Sequence, residues 1–201
     1  MSFGAVTEFE KQIADFYGAP YAVAVDCATH ALELALIHTR ASKASCPVHT
    51  YLSIPMTFMK LNLDWEFTTH RWINYYSVTS NVIDAAVFWE KDGYVKDTFM
   101  CLSFQFKKHL SLSRGGMILC PTLDDYNALK KLSHDGRSPN AESWHHQDID
   151  SIGYHYYMTP EVAQAGLDKL PNAIARPAIS WDWLDYPNLT TKTLFKDAKV
   201  V

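Results

Sequence analysis

Ser103, Lys108 and the pair Gly115-Gly116 are residues whose types and spacing could do covalent chemistry. The serine falls at the end of an apolar run over residues 99–104, the lysine follows it by five positions, and the glycine pair leads into a second apolar run at 116–119. A lysine held just past a buried strand has a desolvated ammonium, which lowers its pKa and frees the amine as a Schiff-base nucleophile. A serine at a strand end can hold a phosphate. Two other groups carry suitable chemistry. Cys27-Ala28-Thr29 precede a helix rich in alanine and leucine; a helix N-terminus with free N–H groups and a threonine hydroxyl binds phosphate, and an ordinary capped turn is the plainer reading. Asp84 ends the apolar pair Val82-Ile83. A carboxylate at the end of a buried strand needs a partner or a purpose, unless it only closes a turn.

The elements that must position these groups alternate along the chain. Residues 6–16 place Val6, Phe9, Ile13 and Phe16 at helical spacing, stopped by Gly18. Residues 21–25 read as a buried strand, 26–29 as a polar turn and 31–37 as a helix. Further strands are predicted at 47–51, 65–68, 82–83, 99–104 and 116–119. Helices are predicted at 55–61, at 122–132 with Thr122 as cap, and at 159–170, ended by Pro171. Strands alternating with helices imply an α/β fold with a mainly parallel sheet flanked by helices. Residues 138–150 read as a polar loop. Residues 171–201, with weak periodicity and exposed-looking tryptophans, read as a C-terminal extension packing on the body, residues 1–170, or on a partner.

Composition narrows the function. The 201 residues are 48% apolar and 20% charged, which suits one globular domain with a sizeable core. A net charge of −4 argues against a non-specific nucleic-acid binder, so no nucleic-acid partner is expected. Residues 1–17 have neither a basic start nor an apolar core, so no signal peptide is expected, and no apolar run is long enough to span a bilayer. Cys27, Cys46, Cys101 and Cys120 form no C-x-x-C pair and read as reduced thiols of a cytoplasmic protein. His145, His146, Asp148 and Asp150, with His155, have metal-ligand types, but their spacing fits no standard motif and a solvated loop is the better reading; no metal is expected.

The run Ser103-Phe104-x-x-x-Lys108 followed by Gly115-Gly116 resembles the cofactor-lysine segment of the DegT/DnrJ/StrS family, the pyridoxal-phosphate (PLP) nucleotide-sugar aminotransferases of fold type I. By that register the cofactor lysine is Lys108 rather than Lys107. Four more segments resemble the family in the same order. Cys27-Ala28-Thr29 stands where the family has Ser-Gly-Thr, so Cys27, Ala28, Thr29 and the backbone amide of His30 are implied at the cofactor phosphate. His49-Thr50-Tyr51 implies Tyr51 as the aromatic stacked on the pyridine ring. Val82-Ile83-Asp84-Ala85-Ala86 implies Asp84 at the pyridine nitrogen, with Ala86 beside it. Gly153-Tyr154-His155-Tyr156-Tyr157-Met158 matches a segment that reaches into the neighbouring subunit, with His155 in the place of an asparagine on the phosphate. The resemblance covers roughly residues 6–170.

It implies the large domain of a PLP-dependent transferase, reduced in size and without the small C-terminal domain. It also implies an amino group moved from an amino acid, typically glutamate, to a nucleotide-linked keto sugar through a Lys108 Schiff base. Lys108 and Asp84 would be the catalytic pair, and a homodimer would share the site. The chain departs from the pattern at Val87, where the family has glutamine, at Arg114, where it has glutamate before the glycine pair, and between Thr68 and Val82, where a longer stretch is usual. Rival readings are another PLP reaction (decarboxylation, racemisation or dehydration) and a non-catalytic dimeric remnant of the family.

Overall fold

The computed structural model describes residues 3–139 and 143–201. Its centre follows from strands that are apolar at nearly every position. In β1 (Tyr21–Val25), Val23 and Val25 join one core, while Ala22 and Ala24 join another. The same alternation divides β6 (Phe99–Ser103) and β7 (Gly116–Cys120), because successive strand side chains point to opposite faces. Both faces are therefore buried, and the runs read as continuous rather than alternating. Helices α2 (Ala28–His38), α3 (Ser53–Lys60) and α4 (Leu123–Ser133) supply the first core; α1 (Gly4–Tyr17) and α5 (Pro160–Ala175) supply the second. In α1 the apolar stripe of Val6, Phe9, Ile13 and Phe16 is buried, each side chain contributing about 1.5–3 kcal/mol. The helix stops at Gly18, whose φ of 70° is left-handed and favours glycine. Glu10 of α1 carries a charge into this interior. It accepts from Lys130 Nζ of α4 at 2.8 Å and from the Ala24 amide of β1 at 2.7 Å, so one carboxylate ties three elements together.

The α/β class with flanking helices is as expected, but the sheet is not mainly parallel. Its order is β1-β7-β6-β5-β4, with β5 at Val82–Asp84 and β4 at Tyr76–Ser77. Only β5 and β6 run parallel; β1–β7, β7–β6 and β5–β4 are antiparallel. A separate pair, β2 (Lys43–Pro47) and β3 (Asp64–Thr68), is parallel. The reason lies in the connections. Parallel neighbours need long crossovers, usually helical, and no helix interrupts the chain from β3 to β7. The loop at 104–115 instead returns the chain beside the strand it has just left.

Three local expectations are also corrected. The strand expected at 47–51 lies at Lys43–Pro47; the Val48 amide still donates to the Thr68 carbonyl at 2.9 Å, but the Val48 carbonyl is taken by the Leu189 amide at 2.8 Å, so the chain leaves the ladder there. Helix α5 runs through the exposed Pro171 to Ala175, since Leu170 and Ala173 go on burying against the second core and outweigh a lost hydrogen bond. The tail tryptophans Trp181 and Trp183 are half-buried against the first core rather than exposed. Strand β4, two residues long, was not anticipated. In the loop expected at 138–150, Trp144–His146 forms a short 3-10 turn; residues 140–142 lie outside the described residues.

One buried group makes a pH prediction. His134 is 1% exposed, its Nδ1 lies 2.8 Å from the Lys130 carbonyl, and its Nε2 has no partner among the described residues. Burial, reinforced by Lys130, pushes this imidazole down to about 4. The unfolded chain takes up the proton near 6.5, so stability present above that pH is lost as pH falls towards 4. Urea titrations at pH 7 and 5 should show wild type losing about 1–2 kcal/mol from this group, and His134→Gln losing less over the same interval. Equal losses would mean that the imidazole titrates as in solvent.

Candidate functional site

The ends of β5 and β6, the N-terminus of α2 and the 104–115 loop meet around a cavity of about 410 Å3. That size lies within the roughly 300–1,000 Å3 of small-molecule sites. The lining brings together Cys27, Ala28, Thr29, Tyr51, Asp84, Ala86, Ser103 and Lys108, which are eight of the ten residues implied from sequence. They come from well-separated segments of the chain, from Cys27 to Lys108.

Lys108 enters from a turn closed by its own amide on the Gln105 carbonyl at 2.8 Å. Its Nζ donates to the Tyr186 hydroxyl at 3.5 Å and lies 5.4 Å from the Trp181 ring centre. Burial lowers its pKa, helped by the neighbouring Lys107 and opposed by Asp84. The amine is thus easier to deprotonate than a surface lysine, as a nucleophile or proton carrier requires.

Asp84 ends β5 and is held on both oxygens. Oδ2 accepts from the Tyr76 hydroxyl at 2.6 Å and Oδ1 from the Ala86 amide at 3.0 Å. Tyr76 is itself hydrogen-bonded to Thr50. Burial raises the Asp84 pKa, while Tyr76, the Ala86 amide and Lys108 pull it back down. Fixed donors on the carboxylate side, and a phenol that burial keeps neutral, orient Asp84 without neutralising it.

The N-terminus of α2 is the anion-binding part. Cys27 has extended backbone, and its side chain does not cap the helix. The first-turn amides therefore have no intrahelical partner, and the helix presents partial positive charge at the cavity wall. Thr29 Oγ1 lies 2.9 Å from Ser53 Oγ, and Ser103 Oγ accepts from the Gln105 amide at 3.4 Å. Arg114 adds a guanidinium, 2.8 Å from Asp26 Oδ2 and 3.7 Å from Cys27 Sγ. Close approach of α2 to β7 depends on Gly116, because a Cβ there would lie 2.5 Å from the Cys27 carbonyl carbon and 2.6 Å from the Ala28 nitrogen.

Two implied residues do not line this cavity. The His30 ring stacks on Tyr156 with centroids 3.6 Å apart and bonds Asp26 at 2.6 Å. Burial works against its charge, but Asp26 and Cys27 outweigh it and raise the pKa to about 9. His30 therefore carries a positive charge at neutral pH just behind the α2 terminus. His155 points away and pairs with Asp135 at 2.9 Å, with its side chain 69% exposed. Tyr51 stands at the rim and is 56% exposed. Asp26, Cys27 and His30 lie close enough to share a metal ion, but Asp26 is already engaged by Arg114 and His30.

Sequence reasoning missed Tyr76, Trp72 and Asn74, which fall in the 69–81 stretch read only as a shortening, and Trp181, Asp185 and Tyr186 from the tail. The density of aromatic residues in those two stretches was the available signal.

Compared with known families, residues 2–59 match the model of the DegT/DnrJ/EryC1/StrS aminotransferase family. No curated protein matches the chain. Among solved structures, the fold is similar to that of the sugar aminotransferase CalS13 from Micromonospora echinospora, with a TM-score of 0.68 and 15% identity over 85% of this chain and 61% of that one. It is similar to Spr1654 from Streptococcus pneumoniae in its PLP form, with a TM-score of 0.69 and 17% identity over 85% of this chain and 60% of the other. DesI, solved in the presence of its TDP-sugar product, gives a TM-score of 0.64 and 19% identity over 84% and 53%. The chain therefore spans less than two thirds of the length of these structures.

Proposed function

We propose that this chain, of DegT/DnrJ/EryC1/StrS type over residues 2–59 and in its fold, is a PLP-dependent aminotransferase that moves an amino group from an amino acid, glutamate in the first instance, to a nucleotide-linked keto sugar. The observation that carries the reading is the meeting of Lys108, Asp84 and the uncapped N-terminus of α2 in one cavity.

The donor set fits the cofactor. The amides of Thr29 and His30, the Thr29 and Ser103 hydroxyls and Arg114 would hold a phosphate dianion. Asp84 would hold a protonated ring nitrogen, with Tyr76 and the Ala86 amide fixing its direction. Tyr51 at the rim would cover the ring. When bound, PLP supplies an aldehyde for the lysine and an electron-withdrawing ring that stabilises negative charge on the substrate carbon. The Lys108 amine, kept neutral more easily by burial, would hold the aldehyde and, when released from it, would hold the proton removed from the substrate carbon. Trp72, Tyr76 and Tyr186 line the cavity with aromatic surface, which would limit the access of water to that proton.

His155 bears on assembly. It faces outward from its own chain, and in a homodimer it would bond the phosphate in the neighbouring site. The free thiols suit a reducing, cytoplasmic setting; among the described residues no helix is long and apolar enough to cross a membrane. His109 offers no substitute for the lysine, because its Nε2 is turned to the Ala173 carbonyl at 2.7 Å. This weighs against the sugar dehydration for which a histidine replaces the lysine.

The test is the absorbance of purified protein with PLP, before and after glutamate. A yellow lysine-bound band that bleaches with glutamate, and returns with a nucleotide-linked keto sugar, is the expected result. A band that stays unchanged with amino acids would move the non-catalytic reading forward. Loss of carbon dioxide or water, or inversion of the substrate, would assign one of the other PLP reactions.

A further inference from the structure

The wall of the cavity nearest the lysine comes from the tail beyond α5. This segment is attached at several points. The Asn74 amide donates to the Trp181 carbonyl at 2.8 Å, and the Trp181 amide donates back to Asn74 Oδ1 at 3.0 Å. The Trp183 amide donates to the Trp72 carbonyl at 3.2 Å, and the Leu189 amide to the Val48 carbonyl at 2.8 Å. His49 Nδ1 lies 2.8 Å from the Tyr186 carbonyl. Leu189 and Phe195, each 2% exposed, anchor the far end in the first core. Between these attachments Trp181 and Tyr186 face Lys108, with Tyr186 also packed on Trp72 at 5.6 Å.

We propose that Trp181 and Tyr186 of the tail are a built part of the lysine site, in which the Tyr186 hydroxyl and the Trp181 ring position the Lys108 amine. Tyr186 is a positioning residue: it acts on the nucleophile rather than on the substrate. The proposal rests on Lys108 being the reactive amine.

The physical argument concerns charge. Lys108 is desolvated, and its charged neighbours come from three elements: Asp84 at the end of β5, Lys107 and Arg114 on its own loop, and Asp185 on the tail. Tyr51 and Tyr76 line the same cavity, with the Tyr76 hydroxyl committed to Asp84. Burial also pushes the Tyr186 phenol up, so it stays neutral and its oxygen accepts from the ammonium. The Trp181 ring face attracts the same cation. Both contacts favour the charged amine in one location, which holds it until the cofactor aldehyde competes for it.

The experiment compares wild type, Tyr186→Phe and Trp183→Phe as full chains. Trp183 belongs to the same tail but does not line the cavity. Acetic anhydride labelling across pH, without cofactor, reads the protonation midpoint of Lys108 by mass spectrometry of the peptide containing it. Loss of the phenol oxygen should lower that midpoint by about half to one pH unit, with Trp183→Phe unchanged. A midpoint unmoved in Tyr186→Phe, or moved equally in both variants, overturns the proposal. PLP spectra on the same proteins separate this from the parent reading. A wild type that forms no lysine-bound band while the midpoint still moves would sink the aminotransferase reading and leave the Tyr186 contact standing. A normal band with an unmoved midpoint would do the reverse.

Discussion

Lys108→Ala should take up PLP without forming the yellow lysine-bound band, and its transamination should fall to background. Lys107→Ala should keep both. The two lysines are adjacent, and the backbone turn decides between them. Lys107 is exposed, with its ammonium over the Phe106 ring at 5.7 Å, whereas Lys108 is drawn into the cavity beside Asp84 and Tyr186. Only a desolvated amine is a ready nucleophile near neutral pH. Borohydride trapping followed by peptide mapping checks the assignment directly. A label on Lys107, or a band that survives in Lys108→Ala, would reject it. The variant should fold, because among the described residues Lys108 makes a single long side-chain hydrogen bond and Asp84 keeps both its donors without it.

Cavity residues that belong to a local motif were legible in the sequence, whereas residues that reach the cavity through tertiary packing were not. Thr29, Asp84 and Ser103 each sit at a strand end or helix start, and Lys108 follows five residues after the end of β6, so chain direction and burial can be read from the flanking apolar runs. Tyr76 and Tyr186 stand where no periodic pattern leads. One lies on a two-residue strand and the other in an irregular tail held by backbone bonds to Val48, Trp72 and Asn74. The direction of the strands was hidden for a related reason. Apolar runs show that β1, β6 and β7 are buried on both faces, but not which way each runs, and the loop at 104–115 reverses β7 against β6. The partners of Asp84 explain why a lone aspartate at a strand end is hard to judge: its meaning depends on the phenol of Tyr76, eight residues away.

The charge on the anion side has a comparable history. Arg114 breaks the expected pattern, and taken alone it weakens the resemblance. In the structure it pairs with Asp26, and Asp26 also holds the charged His30, so the departure is absorbed by a local network behind the α2 terminus. That network leaves the first-turn amides of α2 facing the cavity, and it makes their position the quantity on which anion binding depends.

That position gives the largest expected effect on stability. Gly116→Ala should be much more damaging than Gly115→Ala, although the two residues are adjacent. A Cβ on Gly115 meets the flexible end of Met158 at 3.2 Å and Phe104 Cβ at 3.3 Å, contacts that yield to movements of a few tenths of an ångström. A Cβ on Gly116 meets the Cys27–Ala28 peptide group, with the Cys27 carbonyl carbon at 2.5 Å, the Ala28 nitrogen at 2.6 Å and the Cys27 carbonyl oxygen at 2.7 Å. Only displacement of the α2 terminus or of β7 can relieve it, and β7 is fixed between β1 and β6. Overpacking of this kind costs about 3 kcal/mol, which for a chain of this size lowers Tm by roughly 6–12 °C; Gly115→Ala should cost less than about 1 kcal/mol. Because the strain falls on the helix terminus, Gly116→Ala should also weaken inorganic phosphate or PLP binding by about tenfold or more. Thermal melts and a phosphate titration on the two variants read both effects. Equal losses of stability would mean that α2 does not abut β7 at this point. A loss of stability without weaker anion binding would place the phosphate away from the α2 terminus.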